Sequence, residues 1–497
     1  MAGREVITLD SDSDEDEDLR RAIALSLQSQ DEVRNDEAAT DAAGDEQNST
    51  LCGKVIFGSI SLNRKEMEEA RLQRLVKRRH SHSNGEEPPK KRIVRQQAPS
   101  KAYSQPQYSH GTVRRTLARG HPETSECITI EEVLQKDELQ LALISSFQWD
   151  EEWMLSKLNV DETCILLLAY AKDEEQKQFM MENAPKNVRF CFPPMNGLGS
   201  MHSKLQLLKY PNYLRIVIPT GNMVPYDWGE TGVMENMVFI IDLPRLGDEC
   251  DREMTSFGKN LEYFLRAAGV GDTMIRSLNK YNFEATKNLG FVFSIPGGHM
   301  DEALRRVGYC GLGETVKDLG LATDRSIEVD LVCASIGAIK WDFIKAIYNA
   351  CQGGILPPTP ALPYHVTFYL SIVDTVGDDG MQEYNMRIGR KVPSKERHPS
   401  ETLLERFRIY FPSNQTVVNS KGGRQAAGTI CAQARWWNSP NFPAQLVRDC
   451  INNKTGLLMH SKIIFVRYTI ESEVPGQNFA GWSYIGSANL SESACWK

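Results

Sequence analysis

The same four residues, Met-His-Ser-Lys, occur twice in this 497-residue sequence, at Met201–Lys204 and at Met459–Lys462. Each copy opens an apolar, strand-like run. A second such run follows and ends in a small residue and an asparagine, Asn222 in the first copy and Asn489 in the second. A single His-x-Lys carries little information, because a lone histidine is usually structural. Two of only nine histidines in one repeated setting predict a duplicated functional unit.

The chemistry of this repeat depends on which side chains share a cleft. Alternation along a strand puts the His and the Lys of each motif on one face. Two such strands that face one another would bring His202, Lys204, His460 and Lys462 together. Lys and Asn side chains can hold the oxygens of a phosphodiester and stabilise a five-coordinate phosphorus, while one imidazole attacks and the other protonates the leaving oxygen. We expect no metal and no cofactor, because the cationic side chains supply the charge compensation.

The elements that must position this cleft begin at about residue 111. From there, apolar runs bounded by turn signals alternate with helical patterns, which is typical of a mixed α/β fold. We predict a buried strand at 163–171 and a helix at 172–184. Further strands are predicted at 187–192, 201–208, 213–219, 237–243, 289–295, 327–335, 365–372, 457–468 and 482–489. The repeat predicts two similar α/β lobes related by pseudo-two-fold symmetry, at 111–295 and 296–497.

Residues 1–110 have the composition of a disordered tail, since Phe57 is the only aromatic residue in the first hundred. The whole chain carries 57 Lys and Arg against 65 Asp and Glu, which would argue against a nucleic-acid partner. The charge is segregated, however. The first 50 residues hold 15 acidic and 4 basic residues, and the next 50 hold 5 acidic and 12 basic ones. The net charge therefore does not exclude DNA.

The His-x-Lys and Asn pattern in both halves resembles the phospholipase D superfamily. Ordinary members carry an Asp seven residues after the His, where this sequence has Lys209 and Arg467. The pattern without that Asp is similar to the tyrosyl-DNA phosphodiesterase branch, in particular its fungal form. The stretches GLLMHSKIIFVRY and YIGSANLSESACW support this resemblance, which covers roughly 111–497.

The resemblance implies that the chain removes adducts from DNA 3′ ends, typically the tyrosine of a trapped type IB topoisomerase, and acts on both single-stranded and double-stranded DNA. Carried over, His202 would be the nucleophile that forms a covalent phosphohistidine. His460 would be the general acid for the tyrosine oxygen and then the base that activates water. The residues that would bind the phosphate are Lys204, Lys462, Asn222 and Asn489.

Three features depart from the family pattern. The family often has an aromatic residue four positions before the first His, where this chain has Leu198. Where members carry serines that line the DNA side, this chain reads ASIGA at 334–338 and keeps Ser335 as the candidate substrate contact. The chain ends eight residues after Asn489, so the repeat predicts an incomplete C-terminal lobe, with weak stability and reduced activity.

The tail contains three short motifs. An apolar, β-branched start followed by acids, at 5–18, resembles a SUMO-interacting motif and can add a strand to a partner's sheet, through Val6, Ile7 and Leu9. Acids at a helix start followed by an apolar stripe of small residues, at 15–32, resemble a ubiquitin-interacting motif. Its candidate binding residues are Leu19, Ala22, Ile23, Ser26 and Leu27. Two basic clusters at 77–95 are typical of a nuclear import signal or a DNA-contacting patch.

Other classes are disfavoured by composition. No apolar run is long enough for a transmembrane helix, and the start does not have the pattern of a secretory signal. The eleven scattered cysteines, with no Cys-x-x-Cys pair, favour reduced thiols.

We therefore expect a monomeric nuclear DNA-repair phosphodiesterase with no membrane contact. Two alternatives stay open: a catalytically impaired adaptor that reads ubiquitin or SUMO on the same fold, and, with less support, a phospholipid phosphodiesterase.

Overall fold

The computed structural model describes residues 55–57, 60–62, 104–195, 201–247, 253–297, 299, 301–354, 401–470 and 479–491. The three tail motifs, Leu198 and the strand predicted at 365–372 lie outside the described residues. Two short strands in the tail, β1 (Val55–Phe57) and β2 (Ile60–Leu62), pair with each other antiparallel. None of the helices in the described ranges is long and apolar enough to cross a membrane.

The N-terminal lobe is built on a mixed sheet that has eight strands within the described residues, in the order β4-β3-β11-β9-β8-β5-β6-β7. The strands are β3 (Thr112–Thr116), β4 (Cys127–Ile128), β5 (Leu141–Ser145), β6 (Cys164–Leu168), β7 (Val188–Cys191), β8 (Leu205–Lys209), β9 (Tyr213–Pro219) and β11 (Met237–Pro244). The short β10 (Met234–Glu235) belongs to a different pairing. The helices of this lobe are α1 (Ile130–Leu134), α2 (Glu151–Ser156), α3 (Glu174–Asn183), α4 (Ser256–Ala267) and α5 (Asp272–Arg276).

Helices cover both faces of this sheet, which explains why its central strands are apolar on both sides. Helices α1, α2 and α3 pack on one face through residues such as Val133, Met154 and Met180. Helices α4 and α5 pack on the other face through Leu261 and Ile275. The sheet is therefore a rigid middle layer from which the cleft residues project.

A buried ion pair joins two neighbouring strands of this sheet, β9 and β11. Arg215 on β9 and Asp242 on β11 are both fully buried, and Arg215 donates from Nε to Oδ1 at 2.7 Å and from an Nη to Oδ2 at 3.0 Å. The rings of Tyr108, Tyr210 and Tyr213 surround the guanidinium at 5.0 to 5.5 Å. Removal of either charge would leave the other buried without its partner, so the pair locks β9 to β11.

The C-terminal lobe is built on a smaller sheet, with the described order β16-β14-β12-β18-β19. The strands of this half are β12 (Glu328–Val332), β13 (Ser335–Ile336), β14 (Phe407–Tyr410), β15 (Cys431–Ala432), β16 (Val447–Arg448), β17 (Leu458–Met459), β18 (Ile463–Thr469) and β19 (Phe479–Ile485). Its helices are α6 (Asp301–Arg306), α7 (Gly308–Asp318), α8 (Trp341–Cys351), α9 (Glu401–Arg406), α10 (Asn414–Val418) and α11 (Ala434–Trp437). The apolar core of this lobe contains residues of α7, α8 and α9.

Five neighbouring strands of the N-terminal sheet have the same arrangement as the five described strands of the C-terminal sheet. The run β7-β6-β5-β8-β9 has the same relative strand directions as the run β16-β14-β12-β18-β19. In each run the first three strands are parallel to one another, the fourth is antiparallel to the third, and the fifth is antiparallel to the fourth. The mixed α/β class predicted from the sequence is therefore confirmed. The lobe boundaries at 295 and 296, and the incompleteness of the second lobe, stay predictions.

One predicted element is wrong. Residues 289–295 form no strand, and Phe293 makes only an isolated bridge to Val307. The apolar pattern of this segment has another cause, because Phe291 and Phe293 pack against α4 in the core of the N-terminal lobe. Aromatic burial thus imitates the pattern of a strand in a segment that crosses between the lobes.

Glu151, the first residue of α2, yields a prediction about stability. Its side chain is only 7% exposed, and its Oε2 accepts no hydrogen bond from the described residues. Burial, with a smaller contribution from Asp150, raises the pKa of Glu151 from 4.5 to about 8. The folded chain therefore keeps this carboxyl neutral, and it loses stability as the pH rises from 4.5 towards 8, because the unfolded chain ionises first.

We expect Glu151→Gln to raise the free energy of unfolding at pH 7 by up to about 3 kcal/mol and to leave it nearly unchanged at pH 4.5. Urea unfolding at both pH values measures this difference. The matched control is Glu152→Gln, which changes the exposed neighbouring carboxylate. Equal effects of the two substitutions at pH 7 would contradict the expectation.

Candidate active site between the lobes

In each sheet, the repeated motif and its asparagine lie at the same end of two adjacent strands. The first motif ends where β8 begins, and Asn222 follows the end of β9. Because β8 and β9 are antiparallel, the start of one lies beside the end of the other. The same relation holds in the second half for β18 and β19, with Asn489 after β19. The His and Lys of each motif precede β8 or β18 rather than lying within it. The continuous strands predicted at 201–208 and 457–468, and the shared strand face predicted for His and Lys, are therefore wrong.

The two lysines are buried and are held in the same way in each half. Lys204 is 3% exposed and Lys462 is 1% exposed. Each ammonium donates to the main-chain carbonyl of the histidine two residues earlier, at 3.1 Å for Lys204 and 2.6 Å for Lys462. Lys462 also donates to the carbonyl of Thr220 in the other lobe, at 3.0 Å. Carbonyl oxygens thus fix both positive charges at the cleft.

His202 is half-buried and lies between the lobes. Its Nδ1 is 3.3 Å from Nζ of Lys204, and its Nε2 is 3.4 Å from the side-chain amide of Asn489 in the other half. The ring of Phe147 packs against the imidazole, with centroids 4.9 Å apart. Phe147 follows β5, and no motif in the sequence points to it, because the family pattern places the aromatic residue shortly before the first His.

His460 is buried and contacts a carboxylate of the other lobe. Its Nδ1 lies 3.0 and 3.1 Å from the two oxygens of Asp227. Asp227 is not among the site residues predicted from the sequence. The signal available was its position five residues after Asn222, in the loop that follows β9.

Asp227 is itself fixed by its surroundings. The main-chain N–H of Asn222 donates to its Oδ2 at 2.6 Å. The side-chain amide of Asn236 donates to its Oδ1 at 3.1 Å and to its main-chain oxygen at 2.8 Å. Thr220 in turn donates to Asn236 at 2.9 Å. The carboxylate therefore faces His460 from a fully buried and preorganised position.

The two asparagines of the repeat have different neighbours. Asn489 reaches His202, as described above. The Asn222 side chain faces Gln148 instead, with its amide 3.3 Å from the side-chain oxygen and its own oxygen 3.3 Å from the main-chain nitrogen. The hydroxyl of Tyr226 also donates to Gln148, at 2.8 Å. The repeat in the sequence does not reveal this asymmetry.

Ser335 lies on the segment that pairs with the residues just after Asn489. It begins β13, its carbonyl accepts a hydrogen bond from Leu490 at 3.1 Å, and Leu490 directly follows Asn489. Its hydroxyl donates to the carbonyl of Thr429 at 3.4 Å. The main chain of Ser335 therefore lies beside the residue that follows the second asparagine, and its hydroxyl bonds to Thr429.

The charges of the cleft keep both imidazoles neutral. Burial and the nearby Lys204, Lys462 and His460 hold the pKa of His202 well below its usual range. Burial lowers the pKa of His460 from 6.5 to about 4, with Lys462 also lowering it and Asp227 opposing both effects. The pKa of Asp227 stays below its ordinary value despite burial, because of His460 and Lys462. The site thus contains two lone-pair nitrogens, two ammonium groups and one carboxylate.

A comparison with known families gives this arrangement a context. The family model described as tyrosyl-DNA phosphodiesterase matches residues 112–496. The chain therefore belongs to the tyrosyl-DNA phosphodiesterase family. Separately, residues 14–30 match the model described as the ubiquitin interaction motif.

Relatives of this family are distant in sequence. Tyrosyl-DNA phosphodiesterase 1 of Arabidopsis thaliana is 22% identical over 304 residues, which are 57% of this chain and 48% of the plant protein. The chain thus spans about half the length of the curated relative that it matches.

Solved structures show the same fold. The crystal structure of yeast tyrosyl-DNA phosphodiesterase has a TM-score of 0.50 and 18% identity, over 78% of this chain and 86% of the yeast one. A mutant of the yeast enzyme matches with a TM-score of 0.50 and 17% identity over the same shares. At this identity the likeness shows the fold, which is that of the phospholipase D superfamily.

A substitution at Gly221 yields a prediction about how firmly Asp227 is positioned. A Cβ at this position would lie 2.9 Å from side-chain atoms of Asn236 and of Asp227. We expect Gly221→Ala to displace the carboxylate and so to lower the pKa of His460 further, because Asp227 is the group that raises it. The clash should also lower the free energy of unfolding by about 1–3 kcal/mol.

NMR titration of the His460 ring and urea unfolding measure the two effects. The control is Gly247→Ala, since a Cβ at Gly247 would have nothing within 4 Å. An unchanged His460 titration in Gly221→Ala would show that Asp227 tolerates the extra methyl group.

Proposed function

We propose that this chain hydrolyses the phosphodiester link between a DNA 3′ end and a tyrosine, as in trapped topoisomerase I, and accepts other 3′ blocking groups. The observation that carries the proposal is the meeting of two neutral imidazoles and two buried ammonium groups, one of each from either half. Such a site binds a singly charged phosphodiester and offers a nucleophile and a proton carrier on opposite sides.

The first step is attack by His202. Its Nε2 points towards the other lobe, where Asn489 lies, and a low pKa leaves its lone pair available at neutral pH. Nε2 forms a bond to phosphorus while the bond from phosphorus to the tyrosine oxygen breaks. His460 gives a proton to that oxygen, and the DNA 3′ end stays on His202 as a phosphohistidine.

His460 is the imidazole suited to carry the proton. Nδ1 faces Asp227, which favours the imidazolium and leaves Nε2 for proton exchange. Burial and the two ammonium groups lower the pKa of this imidazole to about 4. A bound phosphodiester adds negative charge beside Lys204 and Lys462 and raises this pKa.

The second step regenerates the site. His460, now neutral, accepts a proton from water, the water oxygen bonds to phosphorus, and the bond to His202 breaks. The products are a DNA 3′-phosphate and free His202. Lys204, Lys462, Asn222 and Asn489 hold the phosphate oxygens in both steps, and Ser335 contacts the DNA beside Asn489. In this proposal the cationic side chains supply the charge compensation, and no metal is required.

The tail extends the proposal to partners and location. The match at residues 14–30 supports binding of ubiquitin through Leu19, Ala22, Ile23, Ser26 and Leu27. The SUMO-like motif with Val6, Ile7 and Leu9, and the basic segment at 77–95, are proposed from sequence as a SUMO contact and a nuclear import signal. Together they would bring the enzyme to modified protein–DNA crosslinks in the nucleus.

A second candidate function is an adaptor that reads ubiquitin on an inactive fold. The ubiquitin interaction motif favours it. The presence of both His and both Lys in one cleft favours catalysis instead, because an adaptor has no need to bury two ammonium groups.

The central prediction uses an oligonucleotide with a 3′-phosphotyrosine, in the presence of EDTA. The chain should release a 3′-phosphate end. His202→Ala should lower the rate by roughly a thousandfold or more, because the nucleophile is lost. His460→Ala should slow release and accumulate a covalent DNA–protein species that gel electrophoresis detects. His110→Ala, at an exposed histidine, is the control. Equal activity of His202→Ala and the wild-type chain would exclude this mechanism.

A separate prediction concerns the tail. Titration of ¹⁵N-labelled ubiquitin with the full chain should shift a contiguous set of ubiquitin resonances. Ile23→Asp should abolish these shifts, because a charge replaces an apolar contact. Gln28→Ala lies off the apolar stripe and should leave them unchanged. Shifts that persist in Ile23→Asp would place ubiquitin elsewhere on the chain.

A further inference from the structure

We propose that Glu235 is a positioning residue that ties the two lobes together and sets the geometry of His460, with its main effect on hydrolysis of the covalent intermediate. The inference rests on the proposed function for its kinetic part, and its structural part is independent of that function. Glu235 belongs to neither repeated motif.

The Glu235 carboxylate lies at the junction of the lobes. Its side chain is 3% exposed, although it belongs to the short strand β10 that leads into β11. One oxygen accepts from Nζ of Lys454 at 2.7 Å, and the other accepts from the side-chain amide of Asn452 at 3.0 Å. An Nη of Arg115 is 3.7 Å away. The donors at 452 and 454 come from the C-terminal half, so this cluster bridges the lobes.

The main chain of the same residue holds the catalytic segment. Strand β10 pairs in parallel with β17, with Glu235 opposite Met459. The carbonyl of Glu235 accepts the N–H of His460 at 3.3 Å. Lys454 and His460 flank β17, so the side chain of Glu235 fixes the segment before this strand and its main chain fixes the residue after it.

The next residue holds the partner of His460. The side chain of Asn236 donates to Asp227, as described above. Glu235 and Asn236 are consecutive and point in different directions, one towards Lys454 and the other towards Asp227. Two adjacent residues therefore set the separation between the imidazole and its carboxylate.

The kinetic consequence differs between the two steps. A displacement of about 1 Å at a reacting group can cost roughly a hundredfold in rate. Tyrosine is a moderate leaving group and needs limited help from an acid. Water is a poor nucleophile and depends on His460 as a base, so misplacement of His460 slows the second step more than the first.

The experiment compares Glu235→Gln, Lys454→Gln and the double variant. Each single substitution removes one charge of opposite sign, whereas the double variant leaves the net charge unchanged. A positioning role predicts that all three slow hydrolysis of the covalent adduct by a similar factor, roughly tenfold to a hundredfold, with a smaller effect on its formation. Single-turnover kinetics separate the two steps, and urea unfolding gives the folded fraction.

Two outcomes would overturn the proposal. If the single variants shift the pH profile in opposite directions and the double variant regains the wild-type rate, Glu235 acts through its charge alone. If both steps slow equally after correction for the folded fraction, its role is only structural. Lys454→Arg should keep the wild-type ratio of the two steps, because Arg preserves the ion pair. Lys259→Gln removes an exposed ion pair to Glu253 at the start of α4, and it should also leave that ratio unchanged.

A second measurement on the same variants, by NMR, does not depend on enzymatic activity. In the wild-type chain the Nδ1 proton of His460, bonded to Asp227, should give a downfield NMR resonance. This resonance should move or disappear in the double variant. An unchanged resonance would overturn the positioning role. An inactive wild-type chain with the expected resonance change would refute the proposed function and the kinetic part of this inference, and would leave its structural part standing.

Discussion

Two ammonium groups buried beside two imidazoles are the constraint on which the rest of the cleft depends. Positive charge without water is costly, and here it is offset by fixed dipoles, namely the carbonyls of the histidines and of Thr220, and by Asp227. Burial, together with these ammonium charges, holds both histidines neutral. A phosphodiester supplies the negative charge that this arrangement favours, and the fixed charges of the cleft are already placed to receive it.

Identical motifs acquire unlike chemical environments because their neighbours differ. Both halves contribute Met-His-Ser-Lys and the same lysine-to-carbonyl bond. His460 contacts a carboxylate, whereas His202 contacts an amide, an ammonium and the ring of Phe147. The imidazole beside the carboxylate is suited to move protons, and the other one is suited to attack. The division of roles therefore arises outside the repeat.

The sequence predicts the features that depend on local pattern. The repeat located the strand pairs beside whose ends the site residues lie, although the His and Lys are not on the strands themselves, and the mixed α/β class is confirmed by the fold. The contacts that the sequence did not reveal are long-range ones. Asp227 meets His460 across 233 positions, and Gln148 meets Asn222 across 74. No local pattern encodes such partners. The strand predicted at 289–295 was wrong because aromatic burial against α4 produces the same apolar signal.

Each half of the molecule completes the site of the other. The first half supplies Asp227 for His460, and the second supplies Asn489 for His202. Neither half alone holds an imidazole with all of its partners. The two halves made as separate chains would therefore hold complete imidazole environments only when paired. The asymmetry between Asp227 and Asn489 gives a molecule with a repeated fold a cleft with two unlike sides.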